Sequence, residues 1–366
     1  MGAVEMMSFG ERFRVTLFGS SHGPEVGAIV EGIPAGRPLS VERVQAELDR
    51  RRPVGRSLAS KRHEEDRLVL DGGIVDGRSV GGPIRAHVAN TDVRREPYDR
   101  LRDTPRPGHA DFPARVRFGP AADLSGGGIF SGRMTVGLVI AGSLARQLLE
   151  PIGIEITAFT RSIGHVDLLE VPEVPLAELR RRCSENEVWC PDPGTAERMG
   201  QLIEETRRDG DSIGGVIEVR AVGLPIGLGE PFFGSLESTL AALAFSIPAV
   251  KAIEFGAGFD AARRKGSEHN DPYGFVNGRV TPMTNHAGGI LGGLSTGAPI
   301  VYRVAVKPTS SIARPQRTVN LATGEETMLV VTGRHDPCIV PRAVVVVEAT
   351  TAVALAELGL RGGFLS

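Results

Sequence analysis

Apolar positions recur along this chain with two spacings. Phe13 to Phe18 and Val26 to Val30 read as short strands, and Val41–Arg51 carries apolar residues at i, i+3 or i+4, as an amphipathic helix does. The succession returns later: an apolar strand inside Ile213 to Pro225 ends in Gly-Leu-Pro, as the first ends in Gly-Ile-Pro at Pro34, and a helix is predicted over Leu236–Phe245. Ile84–Val88 and Ile300–Val306 read as strands, and Val136–Leu149 and Val340–Leu358 as long apolar helices.

The likeness between the halves extends to residue identity. Gly72 to Ile84 aligns without a gap on Gly288 to Ile300 at a constant offset of 216, with eight of thirteen positions identical. An internal repeat of this size predicts a duplicated β-α-β-α unit whose halves pack pseudo-symmetrically around one core. The expected organisation is a single domain over 1–366, with pseudo-repeats at about 10–150 and 211–360 and an excursion at 151–210. Within the excursion, Ile154–Thr160 reads as a strand and helical patterns start from Val174 and Gly194.

Composition narrows the function. In 366 residues, 42 Lys+Arg face 44 Asp+Glu for a net charge of −2, which disfavours a nucleic-acid backbone or an anionic membrane as partner. Cys183, Cys190 and Cys338 form no close pair, so a disulfide framework or structural zinc is not expected and a reducing cytosol is the natural compartment. Ala343 to Ala356 is the nearest approach to a membrane span, and Glu348 interrupts it. Forty-seven glycines, about twice the ordinary share, cluster beside Arg, His, Ser and Lys, where close backbone approach suits anionic ligands.

Several segments have equipment for such ligands. Gly19-Ser20-Ser21-His22-Gly23 fits G-x-S-x-G, but a strand rather than a helix is predicted after it, so His22 reads as a proton donor or phosphate contact, or as a plain turn residue. Arg50-Arg51-Arg52-Pro53, with Arg56, Lys61, Arg62 and His63, reads as a helix-end cation cluster or a clamp for phosphate or carboxylate. Lys307-Pro308-Thr309-Ser310-Ser311 offers one cation and three hydroxyls in a turn, although no Walker A loop occurs. Ser125 to Gly128, with Ser131 and Arg133, precedes a helix. Arg106-Pro107-Gly108-His109-Ala110-Asp111 and Gly333-Arg334-His335-Asp336 each combine an acid, a base and a guanidinium at corresponding places in the two halves. Asn285 to Gly288 and Ser267 to Asp271 are weaker signals, and no metal site is expected.

These segments together resemble the chorismate synthase family, in order and spacing and over essentially the whole chain. Pro107-Gly108-His109-Ala110-Asp111, Lys307 to Ser311 and Gly333 to Cys338 carry most of the likeness, with Phe13 to Gly23, Arg50 to Pro53, Ser246 to Ala249 and Asn285 to Gly293. The resemblance implies an α+β sandwich with helices packed between two antiparallel sheets, a homotetramer, and a cytoplasmic enzyme. The implied reaction is an anti 1,4-elimination of phosphate from 5-enolpyruvylshikimate 3-phosphate that yields chorismate. It is redox-neutral but uses reduced FMN, with NADPH as a possible external or intrinsic reductant. Carried over, His22 lies near the departing phosphate, His109 is a proton partner of the flavin, and Asp336 assists removal of the C6 proton. Arg51, Arg106, Arg133 and Arg334 meet anionic groups of substrate or cofactor, while Ser131, Ala249, Gly292, Lys307, Pro308, Thr309, Ser310 and Ser311 join Arg334 around FMN.

The chain departs from the family pattern at the site. Ser20 replaces a Glu, Ser57 an Arg, and Ile129, Phe130 and Met134 replace an Arg, a Ser and a Glu. A related flavin-dependent lyase acting on another shikimate-derived substrate, or a flavin-binding pseudoenzyme, therefore stands beside the synthase reading.

Overall fold

The computed structural model describes residues 7–52, 58, 65–91, 102–119, 125–331 and 335–365. Strands β1 (Ser8–Phe9), β2 (Arg14–Gly19), β3 (Glu25–Glu31), β4 (Leu68–Leu70) and β5 (Ile84–Ala89) form an antiparallel sheet in the order β1-β2-β3-β5-β4. A second comprises β6 (Glu155–Ile163), β7 (Val166–Asp167), β8 (Gly215–Val222), β9 (Val250–Phe255) and β10 (Ile300–Val306), ordered β9-β10-β8-β6-β7.

Without the two-residue edge strands, β2-β3-β5-β4 matches β6-β8-β10-β9. This corrects the boundary expected for the repeat. Residues 151–210 are not wholly an excursion, because β6 is an internal strand of the second sheet and the counterpart of β2. What is added lies between β6 and β8: β7 and two helices, α4 (Leu176–Ser184) and α5 (Pro193–Arg208). The insertion separates β6 from its pairing partner in sequence, and a non-local pairing leaves no local pattern to read.

The repeated glycine segments do the same structural job twice. Each forms a hairpin, Ile74–Val75 with Arg78–Ser79 and Ile290–Leu291 with Leu294–Ser295. Ser79 Oγ donates to Pro34 O at 2.5 Å and accepts from Arg37 N at 3.0 Å. Ser295 Oγ donates to Pro225 O at 2.5 Å and accepts from Leu228 N at 2.9 Å. The identical serine thus ties each hairpin to the Gly-Ile-Pro or Gly-Leu-Pro turn of its own half.

Between the sheets lie helices α1 (Val41–Arg51), α3 (Thr135–Leu149), α6 (Leu236–Ser246) and α7 (Val340–Arg361), with α2 (Asp111–Phe118) in a loop beside them. Helix α3 packs on the first sheet and α7 on the second, and the two pack on each other, so both are apolar on nearly every face. At their crossing a Cβ on Gly142 would lie 2.3 Å from Ala349 Cα, so only glycine allows this approach. By length and mean hydropathy (1.8) α7 could cross a bilayer, but 94% of its apolar stretch is buried inside the protein. It is the central core helix, and the buried apolar residues of both halves form one cluster.

Two buried glutamates pin α7. Glu357 accepts the backbone N–H groups of Glu11, Arg12 and Phe13 at 3.0, 2.9 and 2.7 Å, which fixes the start of β2. Glu348 accepts from Ala158 N of β6 at 2.8 Å and meets Arg50, Arg146 and Arg180 at 2.7, 3.1 and 3.3 Å. Glu47 bridges Arg180 at 2.6 Å and also pairs with Arg50. An ion cluster therefore joins α1, α3, α7 and the added helix Leu176–Ser184.

Candidate active site

A cavity of about 650 Å³ opens where the loops of the two halves meet. Each wall has a local cause. Ser40 caps α1, accepting from Arg43 N at 3.1 Å, and Val44 and Leu48 bury one face. The helix stops at Arg51, ahead of Pro53, and delivers that buried guanidinium to the cavity. Ser131 caps the turn Gly132–Met134 by accepting from Arg133 N at 3.2 Å, which places Arg133 opposite.

Asp66 joins these two cations. Its Oδ2 accepts from Arg51 Nη1 at 3.1 Å, and its Oδ1 pairs with Arg133 Nη1. Burial would raise the pKa of this carboxyl, but Arg51 and Arg133 outweigh it and hold the pKa below the usual range. Arg51 also donates through Nε to Thr135 Oγ1 at 3.1 Å, and Arg133 through Nε to Asn90 Oδ1 at 2.9 Å. Two guanidinium groups are thereby oriented before any ligand arrives.

The second wall carries the other motifs. Arg106 forms a bidentate pair with Asp111, at 2.7 Å through Nε and 2.8 Å through Nη2, and reaches Ser311 Oγ at 3.1 Å through Nη1. Lys307 Nζ donates to Gly108 O at 2.6 Å and to Ser310 Oγ at 3.1 Å. Burial and the neighbouring Lys251 lower the Lys307 pKa. Asp336 pairs with Arg342 at the start of α7, and Thr309 Oγ1 donates to Asp336 O at 3.3 Å. Ala249, in a left-handed conformation at φ 73°, presents its carbonyl to Lys307 N at 2.9 Å.

His109, Asp336, Arg51, Arg106, Arg133, Ser131, Ala249 and Lys307 to Ser311, Pro308 included, all line this one cavity. His22 does not. It lies one layer behind, buried under Gly126, whose Cβ, if present, would sit 1.9 Å from His22 Cε1. Gly126 also has φ 60°. Gly126→Ala is therefore expected to destabilise the protein by about 1–3 kcal/mol through overpacking and backbone strain, measured by chemical denaturation. Gly292 occupies the exposed turn of the Ile290–Ser295 hairpin, outside this cavity. Arg334, with Arg56, Ser57, Lys61, Arg62 and His63, lies outside the described residues.

Sequence reasoning passed over Asp66, Lys251 and Arg342 as site residues, and it named His335 only as the base of the Gly333 to Asp336 motif. A lone cation in the first turn of an otherwise apolar helix was a signal for Arg342. Asp66 follows the Arg56 to His63 cations in a run whose acids drew no reading.

A family model described as "Chorismate synthase" matches residues 13–360. The chain belongs to the chorismate synthase family. It is 45% identical over 358 residues to the chorismate synthase of Dehalococcoides mccartyi, a match covering 98% of each chain. Against the Korarchaeum cryptofilum protein of that name it is 48% identical over 349 residues, covering 95% of this chain and 96% of the other. A solved crystal structure of chorismate synthase superposes with a TM-score of 0.77 at 30% identity, over 97% of this chain and 93% of that one. The α+β sandwich implied by the sequence agrees with this match and with the two antiparallel sheets enclosing helices.

Chorismate synthases are carbon–oxygen lyases of the shikimate pathway that use reduced FMN, and the cavity has the chemistry to hold that group. Phe245, Ile247, Pro248 and Ile339 supply apolar wall for a flat ring, while Lys307, Lys251, Ser310 and Ser311 suit a phosphate. His335 Nε2 is buried without a hydrogen-bond partner among the described residues. Burial, then Arg106, lowers the His335 pKa, so its neutral ring is available to a ligand's polar edge.

Proposed function

We propose that this cavity binds 5-enolpyruvylshikimate 3-phosphate beside reduced FMN and expels its phosphate to give chorismate. The carrying observation is that Asp336, His109 and the three oriented guanidinium groups of Arg51, Arg106 and Arg133 face one cavity. In the elimination the C3–O bond to phosphate breaks, the C6–H bond gives up its proton, and a new double bond completes the diene.

Arg51 and Arg133, held by Asp66, bind carboxylate or phosphate oxygens of the substrate, and Arg106 and Arg334 add positive charge. Preorganised cations of this kind stabilise the charge that builds on the leaving phosphate. His22, behind Gly126, supports the phosphate end, and Asp336 takes part in moving the C6 proton. Ser131, Ala249, Lys307, Pro308, Thr309, Ser310 and Ser311 hold FMN, which when bound supplies electron density to the allylic system. Gly292 stays in the reading only as a contact from outside this cavity. NADPH, external or bound, is the proposed source of the reduced flavin.

The same reading places the enzyme in the cytoplasm as a homotetramer. Exposed apolar rings support assembly: Phe232, Phe233, Phe259 and Phe275 are 85, 100, 78 and 81% exposed.

An anaerobic assay with reduced FMN and the enolpyruvylshikimate phosphate tests the proposal, with phosphate and chorismate measured together. Equimolar product supports it, and flavin binding without phosphate release removes it. Ile129 and Phe130 favour the second reading, a lyase for a less anionic shikimate-derived ring, because both apolar side chains line the cavity. Introducing Arg at Ile129 and Ser at Phe130 is expected to lower KM for the enolpyruvyl phosphate about tenfold, the scale of one charge-assisted hydrogen bond. An unchanged KM means that neither position meets the substrate.

A further inference from the structure

Asp111, the first residue of α2, has no role in the reading above, yet its side chain is buried and every contact it makes serves the cavity wall. Oδ2 accepts from Arg106 N at 3.1 Å and Arg106 Nε at 2.7 Å. Oδ1 accepts from Arg106 Nη2 at 2.8 Å and lies 2.5 Å from His109 Nδ1. Burial would raise the pKa of this carboxyl, but the hydrogen bonds from Arg106 and His109 hold it well below the usual range, so the acceptor is an anion.

His109 Nδ1 has a second neighbour, Arg106 Nη2, at 3.1 Å. The two contacts make opposite demands. Donation from Arg106 requires a lone pair on Nδ1, whereas the carboxylate requires a proton there. A lone pair 2.5 Å from an anionic oxygen would be strongly repelled, and the guanidinium already donates through the same Nη2 to Oδ1. The closer partner is an anion, and its charge favours a proton on Nδ1.

We propose that Asp111 is a positioning residue that locks His109 in the Nδ1–H tautomer, leaving Nε2 as the ring's basic nitrogen. Nε2 makes no hydrogen bond among the described residues, and His109 lines the cavity. The ring can therefore accept a proton from a ligand at Nε2, with the resulting cation stabilised by the carboxylate behind it. This assignment rests on the reading of the cavity as the lyase site only where activity is concerned, since the tautomer is a property of the protein by itself.

The test uses full-length protein carrying ¹⁵N-histidine. The chain has 8 histidines, and those of His109 are assigned by their loss in His109→Ala. At a pH where the ring is neutral, wild-type His109 is expected to show a protonated Nδ1 and an unprotonated Nε2. Asp111→Asn, which can turn a donor toward the ring, should move the proton to Nε2, while Asp111→Glu should keep it on Nδ1. A wild-type spectrum with the proton on Nε2, or an Asp111→Asn spectrum unchanged from wild type, overturns the proposal.

In the anaerobic assay Asp111→Asn should lower kcat by about 10²–10⁴, the range for a positioned proton-transfer group. In a His109→Ala background the same change should add little, because one residue acts through the other. A full additional loss there means that Asp111 serves Arg106 instead and overturns the proposal. If His109→Ala retains full activity while the spectra come out as expected, His109 leaves the catalytic reading and the tautomer assignment stands.

Discussion

Asp336→Asn is expected to reduce kcat by about 10³, within the range for loss of a positioned proton-transfer group, and to leave FMN affinity nearly unchanged. Asparagine keeps the shape of the side chain and can still present an oxygen to Arg342, so the start of α7 stays in place. The hydrogen bond from Thr309 to the Asp336 carbonyl involves the backbone and survives as well. What disappears is the basic oxygen beside the cavity. Single-turnover measurement of phosphate release separates this loss from binding, and flavin fluorescence titration reports the cofactor site. A wild-type rate in Asp336→Asn would remove this residue from the chemistry. A rate loss matched by an equal loss of FMN affinity would reassign it to the binding site.

Glu348→Ala is expected to cost about 3–5 kcal/mol of stability, the usual scale for stranding the partners of a buried charge. Its carboxylate neutralises Arg50, Arg146 and Arg180 in the interior, and Glu47 pairs with Arg50 and Arg180 alone. Chemical denaturation of the variant beside Glu348→Gln checks the figure, since glutamine keeps an acceptor for Ala158 N and isolates the charge.

The same cluster sets an acid limit. Burial would raise the Glu348 pKa, but Arg50, Arg180 and Arg146 outweigh it and lower the value. A carboxyl lowered in the folded state stabilises fully above the unfolded value of about 4.3 and loses that contribution as pH falls toward the folded one. Wild-type stability should therefore decline below about pH 4, and that part of the decline should be absent in Glu348→Gln.

Much of the architecture was legible because the informative patterns are local. Helices α3 and α7 are continuous apolar runs, and the two glycine hairpins carry the same serine at the same place. The cavity loops were legible for a chemical reason: His109, Asp336 and the Lys307 to Ser311 turn bring together residue types that rarely cluster without a ligand. Strand β6 was not legible as part of the repeat, since a strand is assigned to a sheet only by its partner, which lies beyond two inserted helices. Asp66 escaped for the same reason. Nothing local marks this carboxylate, and only folding brings Arg51 and Arg133 onto its two oxygens.

Helix α7 is synthesised after every strand of both sheets, yet it supplies the floor for the second sheet, a flank for α3 and the carboxylate that catches the amides of Glu11, Arg12 and Phe13. Chains usually acquire structure from the N-terminal end while they emerge from the ribosome. Here the amino-terminal half has no finished place to hide α3 until α7 has emerged. A nascent chain must therefore carry the apolar face of α3 exposed until α7 has followed it out.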